Sequence, residues 1–419
     1  MESCHDNCDG AALSIIVPAF NACFFLDQCL DSVVTQTRGD FEVILINDGS
    51  TDATHEKCTE WSHKDSRIRY FSQENCGLGE TRNHGIAVSS CGYITFLDAD
   101  DWWEADYVER MMGAVEALSA DVAVCDIWYA ERIGASNRKS LSAIRLPANE
   151  VIEPASCKSV ICKARTFSWG KIYRKSLFVD YKIRQPKHTF EDIPVTPLIV
   201  AISKRIVRVD KPLYNYLRNR NGSLANDRRN HKDALLSINE LKENFMALEL
   251  FDQYYCEVRR LAFSQVRFIV RKNGGQDKTL YRESLNTLFR LSPECTGIAK
   301  MNFGCVSLGT GLSYVESVAD NVSVLKSQIS FCEDGSTCDL ASLPNVGCIV
   351  IGLLSPANPG KKQDLAANLK EIKEYCINRD IYLYAISLEE GCLPLEGDRW
   401  DASDELFDAL CEMEIVDAE

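Results

Sequence analysis

Short apolar runs rich in β-branched residues alternate with amphipathic stretches along the first third of the chain. Residues 13–18 (Leu-Ser-Ile-Ile-Val-Pro) read as a strand stopped by Pro18, with a turn at Ala19, Phe20 and Asn21. From 24 to 36, Phe25, Leu26, Cys29, Leu30 and Val33 recur with helical spacing. A second strand, 41–46, is closed by the polar turn 47–52. There Gly49 allows the turn, and Ser50, Thr51 and Asp52 can cap a helix that runs to about residue 64. Then come a strand at 68–72, a flexible Gly77-Leu-Gly79 loop, a helix at 81–88, a strand at 93–97, a helix at 107–118 and a fifth strand at 121–125. Parallel neighbours need crossovers of this size, so the order predicts an α/β fold with a mostly parallel sheet flanked by helices.

The strand at 93–97 ends in three carboxylates, Asp98, Asp100 and Asp101. In open α/β sheets ligands bind beyond the carboxyl ends of the strands, so these acids and Asp48 are expected at one edge. An Asp-x-Asp turn can share a hard cation, with substrate phosphates completing its shell. The plainer alternative is an acidic start to the following helix, which Glu104 and Asp106 also fit. A dinucleotide fold has similar architecture, but Gly77-Leu-Gly79-Glu-Thr-Arg82 puts Arg where the third glycine of its fingerprint belongs.

Composition narrows the field. The chain has 419 residues, 46% hydrophobic and 26% charged, enough for two or three cores. Its net charge of −15 argues against a general affinity for nucleic acid. Residues 1–10 are polar and acidic, unlike a secretory signal, and no stretch approaches the roughly 18 apolar residues of a membrane span. Nineteen scattered cysteines without Cys-x-x-Cys pairs, and only six His, read as reduced thiols rather than a disulfide framework or zinc site.

Several blocks together resemble the family 2 glycosyltransferases, the inverting, nucleotide-sugar-dependent enzymes with the GT-A fold, a Rossmann-like sheet. They are Ser14 to Asn21, Ile46 to Asp52, Glu74 to Ile86, Gly92 to Trp103, Ser168 to Phe178, Phe190 to Ile193 and Lys211 to Ser223, so the resemblance spans residues 12–226. It implies a donor half (about 12–126) and an acceptor half (about 127–226) within a 1–226 domain. By resemblance Pro18, Phe20 and Asp48 are uridine contacts; a carboxylate can accept the uracil imide N–H, and an aromatic ring can cover its face. Asn47 stands where the family commonly has a second Asp. Arg82, near a helix amino end, is expected on the diphosphate or the sugar hydroxyls. Glu80 departs from the small residue expected there. Asp98 and Asp100 are the implied ligands of Mg²⁺ or Mn²⁺, Asp100 directly and Asp98 through the ribose or the metal shell.

On the acceptor side the resemblance makes Asp192 the base, with Glu191 as the alternative assignment. The plainer reading of Asp192 is a helix-start acid helped by Pro194. Trp169 is expected to stack on a sugar face or simply to pack, beside Lys171. Arg218, Arg220 and Ser223 form a loop able to close over the diphosphate, or a solvated basic loop. His84 reads as structural.

Beyond 226 the resemblance fades. Helical periodicity over 231–271, continued at 281–291, predicts a helical extension (227–299) of the kind that cradles an acceptor or joins subunits into a homo-oligomer. Its cations, Arg259, Arg260, Arg267, Arg271 and Lys272, suit a solvated face better than peripheral contact with anionic lipid. Residues 300–419 form an accessory α/β region without a functional reading. Strands at 346–354 and 381–387 flank a helix at 361–378, after a Gly-rich stretch at 304–311. One such β-α-β unit needs further strands for stability.

The expected function is therefore transfer of a sugar from a nucleoside diphosphate, a UDP-sugar by resemblance, to a carbohydrate or glycolipid acceptor hydroxyl. The implied setting is cell-surface polysaccharide or glycolipid assembly in the cytoplasm, at the inner face of the membrane. The competing readings are a nucleotidyltransferase, which needs no base like Asp192, and a non-catalytic nucleotide-sugar binder.

Overall fold

A computed structural model describes residues 12–130, 139–141, 146–218, 231–272, 303–308, 329–332, 348–354 and 382–388. The chain divides into two compact units, Met1–Arg290 and Leu291–Glu419.

In the first unit, β1 (Leu13–Ala19) and β2 (Phe41–Asp48) are buried at every position, which is why both read as mainly apolar runs rather than as alternation. Between them lies α1 (Leu26–Val34), whose apolar face Leu26, Cys29, Leu30 and Val33 is buried. Next in order are α2 (Thr54–Lys64), β3 (Ile68–Gln73), α3 (Leu78–Val88), β4 (Tyr93–Phe96), β5 (Trp102–Trp103), α4 (Tyr107–Leu118) and β6 (Val122–Ala130). The acceptor half adds β7 (Lys139–Leu141), β8 (Val151–Ile152), α5 (Val160–Lys163), β9 (Lys171–Arg174), α6 (Ser176–Val179), α7 (Thr196–Ile202) and β10 (Ile206–Leu217). Two longer helices follow, α8 (His231–Ala247) and α9 (Phe251–Lys272).

The sheet runs β3-β2-β1-β4-β9-β6-β10-β5, with β7 on β6 and β8 on β10. The first four strands are parallel, as the sequence predicts. The chain winds outward from β1 through β2 to β3, then returns to β4 on the other side of β1. The order therefore reverses between β1 and β4, where such sheets open a ligand crevice. A crevice of that kind would open at the edge where Pro18 and Asp48 lie at the last residues of β1 and β2 and Asp98 follows β4. Pro18 is level with Ile46, and the Leu97 N–H donates to the Ile16 carbonyl.

Strands β5, β7, β8, β9 and β10 of this sheet are absent from the sequence reading. β9 runs antiparallel to both β4 and β6 and is wedged between them. Four residues with a Lys and an Arg at the ends carry no readable period. The periodicity over 231–271 resolves into α8 and α9, which pack through Phe245 and Tyr254. Tyr254 also lies within hydrogen-bond reach of the carbonyls of Pro154 and Ala201, tying α9 to the acceptor half.

The second unit holds an all-parallel sheet of β11 (Phe303–Leu308), β12 (Ile329–Cys332), β13 (Cys348–Leu354) and β14 (Tyr382–Leu388), ordered β12-β11-β13-β14. Strands β13 and β14 are the two expected from sequence. Strand β11 occupies part of the stretch read as a Gly-rich connection. The helices expected at 281–291 and 361–378 lie outside the described residues. Among the described residues no helix is long and apolar enough to cross a membrane, and Cys23, Cys29, Cys58, Cys76, Cys91, Cys125, Cys157 and Cys162 are free thiols.

Candidate active site

One end of this edge is built from two stitched loops. Asn21 adopts a left-handed backbone (φ 49). Its N–H donates to Ser50 Oγ at 3.0 Å, and its Oδ1 accepts the Thr51 N–H at 2.8 Å. Gly49 is required here: its φ is +69, and a Cβ would stand 2.6 Å from the Asn75 nitrogen. Pro18 is buried, while the Phe20 ring is 48% exposed.

Asp48 is buried and organises the next loop. Its Oδ1 accepts from Gln73 Nε2 at 2.8 Å and from the Cys76 N–H at 3.0 Å; its Oδ2 accepts the Gly77 N–H at 3.0 Å. Gln73 continues the chain of bonds to His84 Nδ1 at 2.6 Å, so His84 takes the structural place expected of it. Neither Gln73 nor Cys76 is marked by any sequence period.

The three carboxylates after β4 part company. Asp101 is buried, accepting from Tyr214 Oη at 2.7 Å and from the Leu217 N–H at 2.8 Å, which ties the acidic turn to β10. Burial, reinforced by the charges of Asp100 and Asp98, holds its carboxyl well above the usual range. Asp98 and Asp100 stay half-exposed at the crevice.

Arg82 is 2% exposed, and its guanidinium is committed to two acids. Nη2 donates to Asp98 Oδ1 at 2.7 Å and Nη1 to Glu191 Oε1 at 2.6 Å, while Nε has no partner among the described residues. The structure therefore places Arg82 as a strut between donor and acceptor halves rather than at the open amino end of α3. A carboxylate as buried as that of Glu191 needs a partner of opposite charge, and Arg82 reaches both Glu191 and Asp98. Beside it Asn83 and Gln185 exchange two bonds, Asn83 Nδ2 to the Gln185 carbonyl at 2.8 Å and the Gln185 N–H to Asn83 Oδ1 at 2.9 Å.

Asp192 follows Glu191 in a strained segment, since Phe190 holds φ +64. A bulky residue keeps that conformation only when its surroundings over-determine it, and such strain clusters at functional sites. The two acids differ in what they touch. Glu191 is buried and held by Arg82. The Asp192 carboxylate keeps part of its surface open and accepts no hydrogen bond among the described residues. It does not cap α7 either, because that helix begins at Thr196 after Val195 with no side-chain cap. Burial pushes the Asp192 carboxyl up to about 7, Glu191 adding to the rise and Arg82 and Lys171 opposing it. Lys171, 3% exposed, donates Nζ to the Phe167 carbonyl at 2.6 Å, and burial pulls its ammonium down to about 7.

Trp169 is 6% exposed, stacked with Phe167, Tyr214 and Tyr216 at centroid distances of 4.5, 4.6 and 5.0 Å. Of its two expected roles the packed one describes this position. Arg218 is exposed, with its guanidinium 3.3 Å from the Tyr129 ring centroid. Arg220 and Ser223 lie outside the described residues.

Among the described residues no three His, Cys, Asp or Glu side chains form a closed metal cage. Mg²⁺, however, needs only one or two carboxylates when phosphates supply the rest of its shell. Asp98 and Asp100 meet that requirement: half-exposed, at the crevice, and close enough to raise Asp101 by their charge.

The strand order reverses between β1 and β4, acids stand at the ends of two parallel strands, and Arg82 links Asp98 to the buried Glu191. Residues 14–177 match the family model described as Glycosyl transferase family 2. Glycosyltransferase GlyA of Streptococcus pneumoniae serotype 4 is 36% identical over 222 residues, 51% of this chain and 31% of that protein. The uncharacterized glycosyltransferase EpsJ of Bacillus subtilis is 30% identical over 216 residues, 50% of this chain and 62% of that protein. The chain thus spans less than two thirds of either relative. A cholesterol galactosyltransferase of Borreliella burgdorferi is 26% identical over 69% of this chain and 84% of its own length. Among solved structures, S. aureus TarS 1-349 in complex with UDP-GlcNAc superposes with a TM-score of 0.47 at 17% identity, covering 67% of this chain and 89% of that one.

Proposed function

We propose that the chain is an inverting glycosyltransferase that moves a sugar from a UDP-sugar to an acceptor hydroxyl. The observation that carries this reading is the contrast between neighbours: Glu191 is bonded to Arg82, whereas Asp192 is open, unbonded and shifted to where a base works near neutral pH. In a single displacement Asp192 takes the acceptor proton as the acceptor oxygen forms its bond to the anomeric carbon. The bond to the diphosphate oxygen breaks on the opposite face, which inverts the centre.

At the nucleoside end Asp48 Oδ2 takes one N–H bond, and a carboxylate oxygen has room for a second, here the uracil imide N–H. Phe20 offers its exposed ring to the base, and Pro18 shapes the loop below. Asp98 and Asp100 would hold Mg²⁺ or Mn²⁺, which supplies charge neutralisation for the departing diphosphate. Arg82 keeps Asp98 and Glu191 at a set separation across the crevice.

By resemblance the setting is cell-surface polysaccharide or glycolipid assembly on the cytoplasmic side of the membrane. The relative named as a cholesterol galactosyltransferase supports a lipid-linked acceptor.

A donor screen by mass spectrometry, with Mn²⁺ and a panel of nucleotide sugars and acceptors, tests the reading in wild type, Asp100→Ala and Asp192→Asn. One UDP-sugar should be consumed by wild type, while Asp192→Asn keeps metal-dependent UDP binding and loses transfer. Failure of UDP to bind, with another nucleotide binding instead, moves the nucleotidyltransferase alternative ahead.

A further inference from the structure

Helix α8 lies beyond the residues that match the family, yet one of its faces grips the segment carrying Asp192. Asp233, Ser237, Glu240 and Asn244 recur at spacings of four, three and four residues, so they share that face. The Asp233 carboxylate accepts the Thr189 N–H at 3.0 Å. Ser237 Oγ, bonded to its own helix at the Asp233 carbonyl, lies 3.2 Å from the Thr189 carbonyl. His188 Nε2 stands 3.2 Å from the Glu240 carboxylate, a close contact rather than an aligned hydrogen bond. On the far side of the two acids, Asn244 Nδ2 donates to the Pro194 carbonyl at 3.2 Å.

The backbone is therefore held from one rigid element on both sides of Glu191 and Asp192. Between the anchors sits Phe190 in its left-handed conformation, which relaxes to ordinary backbone once an anchor is lost. Any such relaxation moves Asp192 while leaving Pro18, Asp48 and Asp98 where β1, β2 and β4 put them.

We propose that α8 is the clamp that positions the catalytic base, with Asp233 and Asn244 as its positioning residues; this rests on the reading of Asp192 as that base. The helical extension is then a working part of the transfer site.

The test uses the full chain and whichever of UDP-glucose, UDP-galactose or UDP-N-acetylglucosamine the wild type consumes. Asp233→Ala, Asp233→Asn, Asn244→Ala and Asp192→Asn are compared by kcat and donor KM from UDP release, by UDP binding in calorimetry and by melting. A misplacement near 1 Å costs about 10²-fold, so Asp233→Ala and Asn244→Ala should lower kcat by about 10- to 10²-fold. Donor KM and UDP affinity should stay at their wild-type values. Asp233→Asn keeps an oxygen for the Thr189 N–H and should recover most of the rate. If Asp233→Ala does not fold, Asn244→Ala carries the comparison. Unchanged kcat in both alanine variants, with transfer abolished in Asp192→Asn, overturns the clamp and leaves the base standing. Loss of kcat together with UDP binding, without recovery in Asp233→Asn, also overturns it. Wild-type transfer by Asp192→Asn removes the base reading and the clamp with it.

Discussion

At the scale of single residues, the site depends on how burial and charge divide two neighbouring acids. A base must be ionised to work, and burial holds Asp192 up to about 7, so kcat/KM should rise with pH through that region. Glu191 contributes to the rise, so Glu191→Gln should move this limb to lower pH. Lys171 opposes it, so Lys171→Met should move the limb higher; a pH profile of initial rates reads both. The same shift carries a stability cost. The folded pKa lies above the unfolded value of about 4, so the favourable contribution is complete below about pH 4 and is lost as pH rises towards 7. Asp192→Asn should accordingly melt above wild type at pH 8, with the gap closing as pH falls towards 4. Arg82→Leu leaves Glu191 and Asp98 without their counter-charge and should cost about 3–5 kcal/mol in urea unfolding.

At the scale of elements, α3 is held where no side chain fits. A Cβ at Gly79 would lie 1.9 Å from the Pro186 carbonyl oxygen, and one at Gly85 would lie 2.3 Å from Ile16 Cγ2. Gly85→Ala meets a side chain with some freedom and should cost about 1–3 kcal/mol. Gly79→Ala meets backbone, so it should cost more and also loosen the Asn83–Gln185 pair; paired thermal melts rank the two. Elements were legible where one chain segment sees one environment. The spacing of Tyr107, Val108, Met111, Met112 and Val115 predicts a helix over 107–118, and α4 has those ends. Strand β9 was illegible because its conformation comes from the partners on its two edges, β4 and β6, rather than from a pattern of its own.

At the scale of the molecule, every described candidate residue falls within Met1–Arg290. A chain ended after Arg290 should therefore keep UDP binding and transfer, as measured by calorimetry and UDP release. Loss of both would give the second unit a part in the site. Chelation by EDTA should suppress transfer, and Mg²⁺ or Mn²⁺ should restore it, if Asp98 and Asp100 hold the ion. The second unit was half legible: β13 and β14 are long buried-type runs, whereas β11 begins Phe-Gly-Cys and resembles a connection until it is paired.

The sequence by itself determined the alternation of strands and helices, the parallel sheet and the delivery of Asp48, Asp98 and Asp100 to one edge. These follow from periodicity and from the crossover rule, both local to the chain. It also pointed to the 190–193 block. Only the tertiary structure decided which acid of that block is committed and which is open, because the partner of Glu191 lies 109 residues away at Arg82. The same holds for Trp169, whose indole is taken by Tyr214 and Tyr216, and for α8, whose polar face looks solvated until the 188–194 segment is laid against it. Hydrogen bonds and packing across such separations depend on distance in space, which a linear pattern does not encode.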